Sequence, residues 1–194
     1  MGLLDSILGR SKPVRPDLDQ LFALPSAALT LQAGAGFTPT GLGSVCFAGV
    51  EGGGFARIKQ DVEELLDADT GRGGSPVRFS NDSYGYTWLL AQQDPDDTAA
   101  LVNDLHAVNT LLEDGGFGPQ LLCSLLAFKD ADERPLALVY LYKRGTFFPF
   151  APVPGGGEKR DSQRELQVRA VLGDDLRIEP DLARWFPVWG APGL

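Results

Sequence analysis

Apolar positions along this chain follow two rhythms, one of three to four residues and one of two, and the switches between them divide it into elements. Leu3, Leu4, Ile7 and Leu8 fall at helical spacing until Gly9, Ser11 and Pro13 stop them, which predicts a short amphipathic stub on a linker. A first helix opens near Asp17, carries Leu18, Leu21 and Phe22 on one side and breaks at Pro25; Ser26 starts a further turn through Leu29. Residues 43–50 read as a short strand bounded by glycines. Phe55, Ile58, Val62, Leu65 and Leu66 then share one helical face, with Arg57, Lys59, Asp61 and Glu64 on the other. After a loop over 69–76, residues 77–80 and 84–92 predict a hairpin turning at Asn81, Asp82 and Ser83. Period-two alternation puts Tyr84, Tyr86, Trp88 and Leu90 on one of its faces.

The clearest helix carries Leu101, Leu105, Val108 and Leu112, with acids at 94–97 suited to its start and Gly115 and Gly116 to its end. Residues 121–129 and 136–143 form a second hairpin around a polar loop at 130–134. Residues 146–150 extend that sheet, and Pro149 assigns them to an edge. Past the Gly/Pro loop at 152–159, Asp161 caps a helix that Gly173 stops. Pro180, at the first helical position, starts a last turn holding Leu182, Trp185 and Phe186. Strands therefore cluster instead of alternating with crossovers, which predicts an α+β fold with an antiparallel sheet flanked by helices. Residues 1–16 form the stub and a basic linker, and 17–194 a single domain. With the helix at 55–66 taken as an inserted element, the order resembles the type III secretion-chaperone fold shared with YbjN-like proteins. That resemblance lies in topology only and leaves function open.

Composition narrows the classes. The 194 residues carry a formal charge of −9, which disfavours a nucleic-acid binder that must neutralise phosphates. With 43% hydrophobic and 22% charged residues the chain is neither disordered nor a coiled coil, and 24 glycines with 14 prolines keep its elements short. Cys46 and Cys123 are too few for a disulfide scaffold and sit in apolar runs, as buried cysteines of a reduced intracellular protein do. No apolar run approaches the roughly 18 residues of a membrane span, and the start has an acid in its apolar stretch and no basic n-region, so the expected location is cytoplasmic. Leu3, Leu4, Ile7 and Leu8, followed by Arg10, Lys12 and Arg15, make the stub a candidate docking element for an acidic partner or, weakly, an anionic membrane surface. The alternative is a terminus tied down on its own domain.

Little catalytic chemistry is legible. The single histidine, His106, lies on the central helix and reads as structural. An apolar setting raises the pKa of Cys123 and makes it a poor nucleophile. Gly52, Gly53 and Gly54 precede a helix without a following Gly-Lys-Ser/Thr, so they read as a plain loop and not a phosphate cradle. Asp94, Asp96 and Asp97 suit a helix start better than a cation, and two cysteines with one histidine do not make a zinc site. We expect no enzyme activity, no metal and no cofactor. The one basic and aromatic concentration is Lys143 and Arg144 beside Tyr140, Tyr142, Phe147 and Phe148. It is a candidate surface for a protein partner, a nucleotide or another anion, against the alternative that alternating tyrosines are half-buried sheet residues.

Long strings carry a closer resemblance. Residues 22–28 (FALPSAA), 41–47 (GLGSVCF), 82–88 (DSYGYTW), 105–109 (LHAVN), 116–123 (GFGPQLLC), 138–147 (LVYLYKRGTF) and 184–190 (RWFPVWG) resemble the actinobacterial PspA-associated protein family PspAB over nearly the whole chain. The resemblance implies a non-enzymatic cytoplasmic accessory or adaptor of the phage-shock response. Its partner would be phage shock protein A, a coiled-coil peripheral membrane protein that guards the envelope, or another envelope-stress protein. It supplies no catalytic or binding residues to carry over, and a homodimer is left open. The other function considered is a small-molecule or nucleotide-binding sensor using Lys143, Arg144 and the neighbouring aromatics.

Overall fold

The computed structural model describes residues 16–49, 53–67 and 77–194. The candidate stub residues Leu3, Leu4, Ile7 and Leu8, the basic linker and the 69–76 loop lie outside the described residues. Six strands, β1 (Thr38–Ala48), β2 (Arg78–Asn81), β3 (Tyr86–Gln92), β4 (Leu121–Lys129), β5 (Pro135–Leu141) and β6 (Thr146–Phe150), form one open sheet. All pairings are antiparallel, in the order β2-β3-β1-β4-β5-β6. Helices α1 (Leu24–Ala35), α2 (Gly53–Asp67), α3 (Thr98–Leu112) and α4 (Ser162–Leu172) complete an α+β architecture.

Local chemistry explains most element ends. Asp97 accepts the Ala100 N–H at 2.9 Å to start α3, and Asp161 accepts that of Arg164 at 3.0 Å to start α4. Pro25 does not break the first helix: a 3₁₀ turn over Leu18–Ala23 runs into α1, and Pro25 occupies its first turn, where a missing N–H costs nothing. β1 begins earlier than its apolar run because Gly41, at φ 76°, makes a bulge that a side chain would fill against the Gln93 carbonyl. Gly53 and Gly54 belong to α2 instead of a loop. Pro180 precedes the cap of the last 3₁₀ turn, Leu182–Arg184, and that cap is Asp181. Pro149 does sit in an edge strand.

The strand alternation sorts side chains to two faces. Val45 and Phe47, Leu89, Leu126 and Phe128, Leu138 and Tyr140, and Phe147 point to the helix side, where they pack with Leu31, Leu105, Val108 and Leu172. Burying a large apolar side chain completely contributes about 1.5–3 kcal/mol, so this face holds most of the core. On the opposite face lie Cys46, Trp88, Cys123, Leu125, Val139, Phe148 and Phe150. These are covered by the C-terminal segment, irregular apart from its 3₁₀ turn, through Trp185, Val188 and Ala191. Two covered faces explain why β4 and β5 read as continuous apolar runs, although antiparallel strands with one wet face alternate.

Candidate functional site

One row of register partners crosses the tail-side face: Trp88 opposite Cys46, Cys46 opposite Cys123, Cys123 opposite Leu141. The row floors a recess of about 600 Å³. Phe186, Pro187, Val188 and Trp189 wall it from the C-terminal segment, Tyr84 and Tyr86 from the β2–β3 hairpin, and Glu158 from the loop after β6. Lys143 and Arg144 reach it from the β5–β6 turn.

The C-terminal segment is held by polar anchors, since it lacks a helix's own ladder. Residues 177–179 lie along the outer edge of β6: Phe147 donates its N–H to the Arg177 carbonyl at 2.9 Å, and Glu179 donates its own to the Phe147 carbonyl at 2.7 Å. Glu179 is fully buried and accepts from Arg144 Nε and Thr146 Oγ1, both at 2.8 Å, and from the Asp181 N–H at 3.2 Å. Burial opposes its ionisation, but these three donors outweigh burial and hold the carboxyl below the usual glutamate range. Trp185 donates its indole N–H to the Glu179 carbonyl at 3.0 Å, and Arg160, paired with Glu165 at 2.9 Å, donates to the Trp185 carbonyl. Aromatic packing completes the wall: Phe148 lies 5.5 Å from Phe186 and Phe150 4.8 Å from Trp189, centroid to centroid.

The opposite wall rests on Asp82. Its Oδ1 accepts the N–H groups of Tyr84 and Tyr86 at 2.9 Å, shaping the hairpin turn, and its Oδ2 accepts the Trp88 indole N–H at 2.8 Å, fixing that ring in the floor. Burial works against the charged form, yet the hydrogen bonds from Trp88, Tyr86 and Tyr84 prevail and lower the carboxyl's pKa. Tyr84 donates its hydroxyl to Glu158 at 2.8 Å and so links the hairpin to the loop after β6. That bond, with the charge of Glu158, raises the phenol's pKa. Tyr84 and Tyr86 are nonetheless 58% and 41% exposed, so both keep an open ring face.

The predicted basic and aromatic group is divided by the pleat. Lys143 is exposed and has no ion-pair partner among the described residues, while Arg144 pairs with Glu179. Tyr140 and Phe147 belong to the helix-side core, fully buried, and Tyr140 donates to the Asp17 carbonyl at 2.8 Å; burial pushes its phenol upward. Tyr142 is buried on that same side, and burial with the neighbouring Glu113 raises it to about 12. Phe148 is on the tail side but lies beneath Trp185 and Phe186. Of the six residues only Lys143 and Arg144 reach the recess. Both cysteines line it as free thiols, and hydrogen bonding to Cys46 together with burial pushes the Cys123 thiol well above its ordinary value. His106 is elsewhere, half-buried on α3 against the Leu18–Ala23 turn, 3.6 Å from Asp19 and with its ring tilted against that of Phe22 at 4.7 Å.

The sequence reading missed Phe186, Trp189, Asp82 and Glu158 as parts of one site. A usable signal was present: aromatic residues at 185, 186 and 189 occupy a stretch with neither helical nor strand period, and such rings need a surface to cover. The aspartates at 94 and 97 serve the turn and helix start. Among the described residues no group of three His, Cys, Asp or Glu side chains is placed to hold a metal ion, and no helix is long and apolar enough to cross a membrane. No curated protein and no solved structure matches the chain significantly. The family model described as PspA associated protein B matches residues 1–193, and with the whole chain so covered the protein belongs to that family.

Proposed function

We propose that this chain is a non-enzymatic accessory protein of the phage-shock response, cytoplasmic, acting as an adaptor that binds PspA or another envelope-stress protein at the tail-side recess. The observation that carries this reading is an apolar recess edged by the exposed rings of Tyr84, Tyr86 and Phe186, in a family whose description names an association with PspA. Partly exposed aromatics around a water-excluding depression are the usual anchors of protein recognition. Titration calorimetry of the full chain with purified PspA tests it. Heat and co-elution support the adaptor, and neither at tens of micromolar refutes it for that partner. The stub residues Leu3, Leu4, Ile7 and Leu8 are proposed as a second contact: deletion of residues 1–12 leaves the fold intact and weakens association at low salt. Unchanged association removes the stub from the interface. Sedimentation over a concentration range reports whether the adaptor is a homodimer.

The alternative is a small-molecule sensor, favoured by the concavity: about 600 Å³ lies within the roughly 300–1,000 Å³ typical of small-ligand pockets. A thermal-shift screen of nucleotides and anionic metabolites tests it, because a ligand of the native state raises the melting temperature by mass action.

A further inference from the structure

The recess has an apolar floor and an uneven distribution of uncommitted charge. Its only indole N–H in the floor, that of Trp88, is taken by Asp82, and the rest of the row is Cys46, Cys123 and Leu141. A polar base or sugar would find no partner there, and leaving its groups unpaired costs about 1–3 kcal/mol each. The carboxylates at the rim accept hydrogen bonds from neutral donors only and keep their charge: Asp82 accepts three, and Glu158 accepts the Tyr84 hydroxyl. Of the cations, Arg144 is paired with Glu179 and Lys143 is not engaged among the described residues. Lys143 is exposed and unpaired among the described residues, and Arg144 meets Glu179 through Nε, leaving its two Nη groups without a partner among the described residues. At the β5–β6 turn Lys143 is the charge left over among the described residues, and it matches a single negative charge. A polyphosphate is opposed by Asp82 and Glu158, which stand at the same mouth.

From this juxtaposition we propose that the recess binds a single-chain carboxylate amphiphile, such as a free fatty acid, with its alkyl chain along the Trp88–Cys46–Cys123–Leu141 row and its carboxylate at Lys143 and Arg144. The proposal rests on the sensor reading and names its ligand class. Alkyl carbon on this floor is favoured by area removed from water, and the carboxylate gains a charge-assisted contact at a rim that stays open to solvent.

The chain carries its own probe, because Trp88 and Trp189 line the recess and Trp185 packs behind it on Phe148. The full-length protein is titrated with laurate below its micelle concentration while tryptophan fluorescence is followed, with dodecanol and dodecyltrimethylammonium as neutral and cationic controls. Laurate gives a saturable change, and the two controls bind at least about tenfold more weakly, the scale of one lost charge-assisted contact. Lys143→Glu, an exposed change that leaves the urea melt unaltered, weakens laurate by about tenfold or more and leaves dodecanol where it was. No saturable response to laurate, equal binding of all three head groups, or laurate binding untouched by Lys143→Glu each overturns the proposal. If laurate is silent while a nucleotide or another metabolite raises the melting temperature, the ligand class is wrong and the sensor reading stands; if no small molecule does so, both fall.

Discussion

The two faces of this sheet use the same strands and differ in what covers them. On the helix side, α1, α3 and α4 lay regular stripes of leucine and valine over Phe47, Phe128 and Phe147, and the interface closes completely. On the other side an irregular segment follows the sheet by single anchors at Glu179, Trp185 and Trp189, and between anchors it leaves an opening. A helix brings a continuous apolar stripe because its backbone is satisfied internally; an irregular segment must also find partners for its N–H and C=O groups and so touches down intermittently. Stability is thereby concentrated on one face, and room for a partner or ligand on the other.

The largest test of that contrast is Phe128→Ala, which empties a fully buried site between sheet and helices and costs about 3–5 kcal/mol in urea denaturation. Phe186→Ala, 39% exposed on the tail side, costs about 1 kcal/mol or less and instead reduces partner binding. Equal losses at the two positions would mean that the tail side is as much a core as the helix side.

Glu179→Ala comes next, at about 2–3 kcal/mol, below the full range for a buried pair because Arg144 is partly exposed and regains water. The folded-state pKa of Glu179 is lowered, so its stabilisation is complete above its unfolded value near 4.5 and disappears as pH falls through the lower folded value. Glu179→Gln therefore flattens the acid limb of a stability profile. Asp82 and Asp130 shift in the same direction, which makes the difference between variant and parent the informative quantity. An acid limb unaltered in the variant would remove Glu179 as the anchor.

A smaller effect, read as a rate, concerns the thiols. Cys46 and Cys123 lie at the recess floor but are almost wholly buried, and the Cys123 thiol is pushed upward. At pH 8 both react with an alkylating reagent far more slowly in the native protein than in urea. Rapid native labelling would show that the tail segment opens readily. The last test is Cys123→Ala with His106→Ala: the double variant leaves any catalytic activity assayed intact, and loss of such activity in a correctly folded variant would return an enzymatic reading to consideration.

Much of the fold was legible because its elements carry their own signals. The period of Leu101, Leu105, Val108 and Leu112, the Asp97 and Asp161 caps and the edge position of Pro149 are short-range facts, and each survives in the structure, whereas the β2–β3 hairpin forms with its turn at 82–85 instead of 81–83, Asn81 pairing inside β2 and Tyr84 leaving the strand for the turn. Pro25 misled because a proline reads alike as a helix breaker and as a first-turn residue, and only the preceding 3₁₀ turn distinguishes them. The pleat divides the basic and aromatic group around Lys143 for a related reason. Alternation states that Tyr140 and Tyr142 share a face, but not which of two covered faces is the closed one.

The sequence by itself therefore determined the α+β class, the helix and strand inventory and the membership of residues in a face, since these follow from spacing, capping and turn chemistry within a few residues. Only the tertiary structure decided that β1 lies between β3 and β4, that Cys46 meets Cys123, and that Glu179 holds the C-terminal segment across Arg144. Those contacts join residues far apart in the chain, 77 positions in the case of the cysteines and 35 for Arg144 and Glu179, where no local period or turn preference reaches. The recess exists because such distant pieces meet around it without filling it.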